Sequence, residues 1–361
     1  MSLWFLILVI SVLTVGWSYR HTQRRSQWQV LDHVAGTLEK GWVEGSLWGL
    51  APLELRFRHP AAVFGTVRLE KLGGQVGTVF RLRFLHPFPT VRLQRETAPL
   101  VSKFLQLQDI ELDAGSFDYA FRVVGWPVPA VRALLNPPVR RALLDTPHGL
   151  SKFRLSGTEF VIFTRTSIAD PQTITAFIRN SLACYELCVH SHEAPWRKLA
   201  SSVGFSFTHF SDVGCYRLDG VVGGAVLSAT FDRGSAKGGH PSRVTITGSW
   251  KRKDERLDGL HLCHREMAET PDAGKAVQLN NPVLEQMIAV TGENQEDIRA
   301  FLGSEGVVEA LLPLVHAHPG SIVQEKTMRV IVQGREIEEI EAVLEQAIRL
   351  SGMMHTWSVS L

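Results

Sequence analysis

The chain has little cysteine and little net charge. Only 4 of its 361 residues are cysteine, and 38 basic residues nearly balance 36 acidic ones. So few cysteines exclude a disulfide-stabilised scaffold, and a formal net charge of +2 does not indicate a nucleic-acid binder. The G-x-S-x-G, H-E-x-x-H and Walker A signatures are also missing from the sequence. We therefore predict no catalytic residue and no cofactor, although groups distant in sequence can still meet in a fold.

The overall composition is that of a globular protein. Hydrophobic residues make up 45% of the chain and charged residues 20%. A chain of this length has room for about two domains, each large enough to bury its own core.

The N-terminus carries one long apolar run, from Leu3 to Trp17, which extends to Tyr19. About 20 residues cross a bilayer core, and aromatic residues near both ends of the run are typical of membrane interfaces. No basic region precedes the run and no A-x-A cleavage site follows it. The sequence therefore predicts an uncleaved transmembrane anchor with its basic flank, residues 1–25, and contact with membrane lipid through residues 3–19.

Basic residues on one side of this run predict its orientation. Arg20, Arg24 and Arg25 follow the run directly, whereas only the α-amino group precedes it. The positive-inside rule then places everything after Arg20 in the cytoplasm. We expect a single-pass protein of a bacterial inner membrane; a periplasmic location is the alternative.

The chain contains an internal duplication with an offset of about 168 residues, which is the distance from Trp28 to Trp196. Most matched positions are apolar or glycine, and Arg132 with Arg299 is the only charged pair that we identify. We predict that each of these two arginines forms a salt bridge on the surface of its helix. The matched segments are 28–36 with 196–204, 117–135 with 284–302, and 153–163 with 322–332.

Each copy has the pattern of an α+β unit. Apolar residues alternate with polar ones in the strands, as in half-buried antiparallel sheets, and recur at helical spacing in the helices. We predict two tandem homologous repeats, 26–190 and 191–361. Each is an antiparallel sheet with an opening helix, a central helical pair, a hairpin and a closing helix. The polar sequence HSHEAP before Trp196 is interpreted as an extended linker.

The segment CYELCVHSHE holds the densest group of possible metal ligands, namely Cys184, Cys188, His190 and His192. Two thiolates and two imidazoles can surround zinc tetrahedrally. However, the spacing matches none of the usual zinc frames, and the second repeat has no thiols at the equivalent place. We favour buried helix cysteines beside a solvated linker, and keep a zinc-dependent enzyme at this seam as an alternative function.

A second group of such residues lies in LDGLHLCHRE, with His261, Cys263, His264 and Glu266. Alternation along a strand places His261 and Cys263 on one face and His264 on the other. This is an ordinary strand composition, so a metal site is not favoured here.

The polar face of the first sheet is rich in arginine, with Glu54 and Glu70 as the nearby acids. A solvated Arg/Glu face is the simplest interpretation. The alternative is a surface that docks onto anionic phospholipid headgroups or an acidic partner. Nucleic acid is not expected, because the aromatic residues alternate inward and leave no stacking platform. The arginines are Arg56, Arg58, Arg68, Arg81, Arg83 and Arg92.

Segments 117–123 and 131–135, FDYAFRV and VRALL, resemble uncharacterised bacterial single-pass membrane-anchored proteins with tandem α/β units. The resemblance implies a location and an architecture, and no catalytic residues. We expect a membrane-anchored binding or assembly module with a protein partner. A lipid or apolar-ligand binding protein is the alternative, and it requires an open cavity between the sheet and the closing helix.

Overall fold

Each half of the chain forms an eight-stranded antiparallel sheet with helices, so the α+β class is confirmed. The computed structural model describes residues 3–47, 51–60, 62–72, 75–95, 109–146, 149–165, 170–232, 243–250, 255–268, 276–279, 281–333 and 337–359. The chain divides into unit 1, Met1–His192, and unit 2, Glu193–Leu361. This division falls two residues after the predicted boundary at residue 190.

Unit 1 builds its sheet from strands that alternate apolar and polar residues. Its strands are β1 (Trp42–Glu44), β2 (Glu54–His59), β3 (Ala62–Leu72), β4 (Gln75–Arg83), β5 (Thr90–Arg95), β6 (Phe121–Trp126), β7 (Leu150–Leu155) and β8 (Glu159–Thr164). Its helices are α1 (Leu3–Thr37), α2 (Ser116–Ala120), α3 (Val128–Leu134) and α4 (Pro137–Leu144), followed by α5 (Pro171–Ser202).

Unit 2 repeats this succession of elements. Its strands are β9 (Ser206–Phe210), β10 (Cys215–Val222), β11 (Ala225–Asp232), β12 (Arg243–Trp250), β13 (His261–His264), β14 (Ile288–Thr291), β15 (Ile322–Gln324) and β16 (Thr327–Val332). Its α-helices are α6 (Pro282–Met287), α7 (Gln295–Leu302), α8 (Val307–His316) and α9 (Ile337–Val359), with 3-10 turns at Glu255–Leu257 and Arg265–Met267.

The two sheets have the same strand order. In unit 1 the order is β1-β2-β3-β4-β8-β7-β5-β6, and in unit 2 it is β9-β10-β11-β12-β16-β15-β13-β14. Each strand of unit 2 thus takes the position of the strand eight places earlier in the chain. Identical order in two eight-stranded sheets is the result expected of a tandem duplication.

Each unit packs helices against one face of its own sheet. In unit 1 the ring of Phe80 on β4 contacts Phe160 on β8 and Phe177 on α5, at centroid distances of 6.1 and 6.4 Å. In unit 2 the ring of Trp196 lies 4.8 Å from that of Phe231 on β11. We call the opposite face of each sheet its outer face.

Two matched glycines allow close packing in both units. A Cβ atom at Gly125 would lie 2.5 Å from the Thr90 carbonyl oxygen and 2.8 Å from Val131 Cγ2, and one at Gly292 would overlap Ile298 Cδ1. Val131 and Ile298 are both fully buried. The glycine thus lets the following helix bring a β-branched side chain onto the strand.

A matched pair of carboxylates was overlooked in the sequence. Asp118 accepts hydrogen bonds from the backbone N–H of Leu112 at 3.3 Å and of Ala114 at 2.8 Å. Glu285 of unit 2 accepts one from Leu279 at 2.8 Å. The statement that Arg132 and Arg299 are the only matched charged pair was therefore wrong.

Among the described residues, Arg299 does not form the salt bridge that we predicted. Its Nε donates to the backbone oxygen of Gln278 at 2.7 Å, and its Nη2 to the side-chain oxygen of Gln295 at 3.1 Å. Both acceptors are neutral, and the bond to Gln278 ties helix α7 to a neighbouring segment.

In both units a short extended segment pairs with the edge strand of the sheet, which is β6 in unit 1 and β14 in unit 2. The Ile110 N–H donates to the Val123 oxygen of β6 at 2.9 Å, and the Val277 N–H donates to the Val290 oxygen of β14 at 3.0 Å. A short extended segment therefore occupies part of an edge that would otherwise be available for strand pairing.

Residues 117–120 belong to helix α2, and β6 begins at Phe121. One sequence-based assignment was wrong. The predicted linker HSHEAP is helical, since α5 continues without interruption to Ser202 with Pro195 inside it. Asp170 caps the start of α5, because its carboxylate accepts a hydrogen bond from the Thr173 N–H at 2.7 Å.

Helix α1 contains the predicted membrane span and continues into the core of unit 1. The side chains of residues 3–6 and 8, which belong to that span, lie outside the described residues. Within the part of the chain that the structure describes, no helix combines the length and the apolar character needed to cross a membrane.

Candidate functional site

The four predicted metal ligands do not converge. Cys184 and Cys188 are buried in the core of unit 1, whereas His190 is exposed on the same helix. The His192 ring packs near His86 and Phe88, at centroid distances of 5.5 and 5.3 Å. All four lie in described segments, and no three of their ligand atoms come within 4.8 Å of one another. The geometry therefore does not support zinc binding by this set.

Cys188 is a poor nucleophile. A hydrogen bond with Cys184, reinforced by burial, raises the pKa of the Cys188 thiol well above its ordinary value. Thiols that stay protonated neither attack electrophiles nor bind metal readily. This pair is a packing feature of α5, as the sequence interpretation favoured.

The second group of possible ligands is spread around β13. Cys263 is buried, and burial raises the pKa of its thiol. The ring of His264 stacks on that of His316 at 5.8 Å, and its Nδ1 accepts the Glu266 N–H at 3.3 Å. These contacts are structural, and they leave the strand without a convergent ligand set among the residues described here.

Three of the six predicted surface arginines belong to a charge ladder on the outer face of unit 1. Successive nitrogen–oxygen distances along it are 2.6, 3.1, 3.5, 3.1, 3.9, 3.8 and 3.0 Å. Four arginines alternate with four glutamates, so its charge sums to zero. In order, its members are Glu44, Arg56, Glu54, Arg68, Glu70, Arg81, Glu159 and Arg154.

The other three predicted arginines lie outside the ladder. Arg83 places its guanidinium 5.2 Å from the ring centre of Phe64 and so covers an apolar side chain. Arg58 and Arg92 are exposed. The ladder itself is charge-balanced, Arg58 and Arg83 add positive charge beside it, and the six arginines do not form one continuous cationic patch.

Further cations lie over β5, β6 and β7, and one of them, Arg154, is also the last member of the ladder. Arg92 is the cross-strand partner of Arg154, and Gln94 is flanked by Lys152 and Arg122 on the two neighbouring strands. We call Arg92, Arg122, Lys152 and Arg154 the basic end. The sequence pattern showed each cation on a strand but not its neighbours, because strand register is a tertiary property.

The three residues predicted to flank the membrane behave differently from one another. Arg20 and Arg25 are exposed, as expected of residues that face water or headgroups. Arg24 is partly buried, and its Nη1 donates to the backbone oxygens of Ser46 at 2.6 Å and Ala51 at 3.1 Å. It therefore fastens α1 to the segment that precedes β2.

A cavity of about 150 Å³ lies beside Arg24, between α1, the segment just before β2, strands β3 and β4, and the start of α5. Sequence reasoning did not find it, because its walls come from segments more than 100 residues apart. It is lined by Arg24, Ser26, Gln27, Val30, Leu31, Pro52, Leu53, Val67, Arg68, Leu69, Thr78 and Ile174.

The space between the unit 1 sheet and α5 is filled rather than open. The ring of Tyr185 on α5 lies 5.1 Å from Phe84 and 5.6 Å from Phe160, and all three side chains are buried. A carrier of a whole lipid needs a larger opening than this packing leaves. No protein-family model matches the chain, and no curated protein is significantly similar to it.

Proposed function

We propose that the chain is a membrane-tethered binding or assembly module. In this proposal the first part of α1 anchors two α+β units to a bacterial inner membrane, and everything after Arg20 lies in the cytoplasm. The two units then present their outer faces to protein partners.

The observation that carries the proposal is the change in exposure along α1. Leu13 and Val15 are 66% and 69% exposed. Leu31, further along the same helix, is only 9% exposed and belongs to the core of unit 1. Leaving a large apolar side chain in water forgoes roughly 1.5–3 kcal/mol, and several consecutive ones approach the whole stability of a domain. The exposed set is Ile7, Val9, Ile10, Val12, Leu13, Val15, Trp17 and Tyr19. Lipid covering this set is the simplest solution, and the basic flank is consistent with it.

Membrane extraction with and without charges in the span tests the tether. The wild-type full-length chain should stay in the membrane pellet after an alkaline carbonate wash. An Ile10→Asp/Leu13→Asp variant should be released, because each central aspartate costs about 2.5–3.5 kcal/mol of insertion free energy. Gln29→Asp is the matched control on an exposed position of the same helix, and it should remain in the pellet. Release of the wild-type chain would reject the tether.

The duplicated plan supports a binding role. Both units share strand order and interior packing, but their outer faces carry different side chains. Surfaces that differ on equal scaffolds are expected when each scaffold meets its own partner. Cross-linking of the full-length chain in native membranes, with mass-spectrometric assignment of the linked residues, tests this. Links to other proteins should fall on outer-face strands, and links confined to the loops would contradict it.

A second candidate function is docking onto anionic lipid, which the basic end favours. The ladder glutamate Glu159 lies 3.0 Å from Arg154 and offsets only one of the two charges of the cross-strand pair Arg92 and Arg154, and a bound anion would offset the other. A tethered unit meets such anions at the cytoplasmic leaflet.

Chemical labelling of Lys152 tests this docking. Acetylation of Lys152 in the reconstituted full-length chain should slow when phosphatidylglycerol is added to phosphatidylcholine vesicles. Labelling of Lys40, an exposed lysine of the same unit, should not change. An Arg92→Gln/Arg122→Gln variant should lose the protection, and equal labelling rates in both vesicles would reject the docking.

A further inference from the structure

Two arginines line the cavity beside α1, and their charges are compensated differently. Arg68 is paired with Glu70 at 3.1 Å and with Glu54 at 3.5 Å. Arg24 donates to two backbone oxygens, which carry no full charge. Across the described segments, no carboxylate lies within ion-pair distance of Arg24. The cavity therefore has one uncompensated cation in its wall.

The rest of the wall lowers the polarity around that cation. Val30, Leu31, Leu53, Val67 and Ile174 all line the cavity, and Leu31, Leu53, Val67 and Ile174 are buried. A partly buried guanidinium loses hydration without gaining an anion, which is unfavourable. A ligand that combines an anionic head with a short apolar stem would correct both features at once. The anion would accept charge-assisted hydrogen bonds from Arg24, and the stem would contact the apolar wall.

The volume limits the size of this ligand. At about 30 Å³ for each water molecule, a cavity of about 150 Å³ holds roughly five waters. This is enough for a few carbon atoms next to a head group at the rim, and too little for a whole acyl chain. We propose that the cavity binds a phosphate ester through Arg24 and the apolar wall.

Such an ester has two possible sources, and the position of Arg24 bears on both. Arg24 follows Tyr19 by five residues, or about 7.5 Å along the helix axis. If α1 spans a bilayer, this is the level of the phospholipid headgroups. The binding itself depends only on residues of unit 1; the membrane tether matters solely for a lipid source.

Calorimetric titration with butyl phosphate tests the site. The full-length chain in phosphatidylcholine nanodiscs should bind butyl phosphate more tightly than inorganic phosphate or butanol, because each lacks one half of the ligand. Arg24→Gln should weaken binding about 10- to 100-fold, the factor expected when a hydrogen bond to a charged group is lost. Arg25→Gln is the matched control, since it removes an exposed charge from the next residue of the same helix.

Two further variants separate binding from folding. Arg24→Lys keeps the charge and should retain part of the affinity. Val30→Phe keeps Arg24 but fills the cavity, so it should abolish binding without lowering the thermal midpoint of unfolding. Equal affinity of wild-type and Arg24→Gln protein, or of butyl and inorganic phosphate, would overturn the proposal.

Competition distinguishes the sources of the ligand. If a lipid headgroup is the natural ligand, nanodiscs containing phosphatidic acid should weaken butyl phosphate binding to the wild-type chain. If the ligand is a soluble phosphate ester, the affinity should be the same in both nanodiscs. Either result supports the site. A failed titration by a chain that still resists the carbonate wash would reject the site and leave the tether standing.

Discussion

Unit 1 and unit 2 differ most on their outer faces and least in their interiors. Unit 1 carries the charge ladder and the basic end, whereas unit 2 presents mostly hydroxyl groups with the ion pair of Arg217 and Asp219 at 2.8 Å. The hydroxyl residues at the centre of that face are Ser228, Thr230, Thr245, Thr247 and Ser249. Inward positions must interlock with neighbours, while outward positions meet only solvent or a partner. The comparison therefore teaches that the duplication preserved a packing scheme and left the surfaces free to specialise.

The largest loss of stability is expected from substituting the matched glycines, and comparing the two variants tests whether the two positions are equivalent. Gly125→Ala should destabilise unit 1 by about 2–3 kcal/mol, because the new Cβ meets the Thr90 backbone oxygen. Gly292→Ala should cost unit 2 about 1 kcal/mol or less, since Ile298 Cδ1 is a mobile side-chain end. Urea unfolding followed by hydrogen exchange with mass spectrometry reports the two units separately.

Shortening the Ile298 side chain, which the new Cβ at residue 292 would overlap, is the control for the two glycine variants. Ile298→Val shortens the side chain that Gly292→Ala would touch, so the double variant should recover most of the loss. Equal destabilisation by the two glycine variants would contradict the expected difference.

The next largest loss of stability is expected from removing either of the two matched carboxylates. Asp118→Ala leaves the N–H groups of Leu112 and Ala114 without their acceptor, and an unsatisfied buried donor costs about 1–3 kcal/mol. Glu285→Ala removes a single acceptor, that of Leu279, and should cost about 1 kcal/mol. Amide exchange at 109–114 and 276–279 measures both, and a larger loss in unit 2 would show that the roles are not equivalent.

A smaller loss of stability is expected when one carboxylate of the charge ladder is neutralised. Glu70→Gln removes the carboxylate between Arg68 and Arg81 and should cost about 1 kcal/mol at low salt, less at high salt. The matched control is Glu309→Gln in unit 2, whose partner Arg349 lies at 3.2 Å in an exposed pair. Urea titration at two salt concentrations should show no change for the control. A salt-independent loss in Glu70→Gln would indicate packing and not charge.

The smallest effect is a pH dependence shared by both units. Burial lowers the pKa of His59, against an opposing effect of Glu186, and likewise lowers the pKa of His318 against Glu339. Below the ordinary pKa of 6.5 the unfolded chain binds protons that the folded chain resists. Stability should therefore fall as the pH drops from 6.5 towards the lowered folded pKa values.

Glutamine substitution isolates each histidine in that comparison. His59→Gln should flatten the pH profile of unit 1 alone, and His318→Gln that of unit 2 alone. Thermal midpoints from pH 7 to pH 5, resolved by hydrogen exchange, measure this. An unchanged profile in both variants would assign the pH dependence to other groups.

Much of the fold could be predicted, because burial leaves a periodic trace in sequence. Alternation of apolar and polar residues indicated strands, and the matched segments 117–135 and 284–302 each contain a strand followed by a helix. The linker before Trp196 could not be predicted, since polar residues with one proline fit a loop as well as a solvated helix.

The candidate sites were less predictable than the fold. The Cys184–His192 group looked like a site because its members are close in sequence, but a helix turns them to different sides. The basic end depends on the register of β5, β6 and β7. The cavity depends on the contact of helix α1 with strands β3 and β4 and with the segment before β2. Patterns among neighbouring residues do not specify which distant segments of the chain come into contact.

The α+β class, the duplication and the alternating apolar positions that face each core could be predicted from the order of residues alone. These follow from local periodicity, which the chain carries residue by residue. The folded chain was needed to show which arginines meet glutamates, and that Arg24 lines a cavity with no carboxylate of the described residues within ion-pair distance. The physical reason is that Coulomb pairing and cavity shape depend on distances across strands and helices, and chain order does not specify those distances.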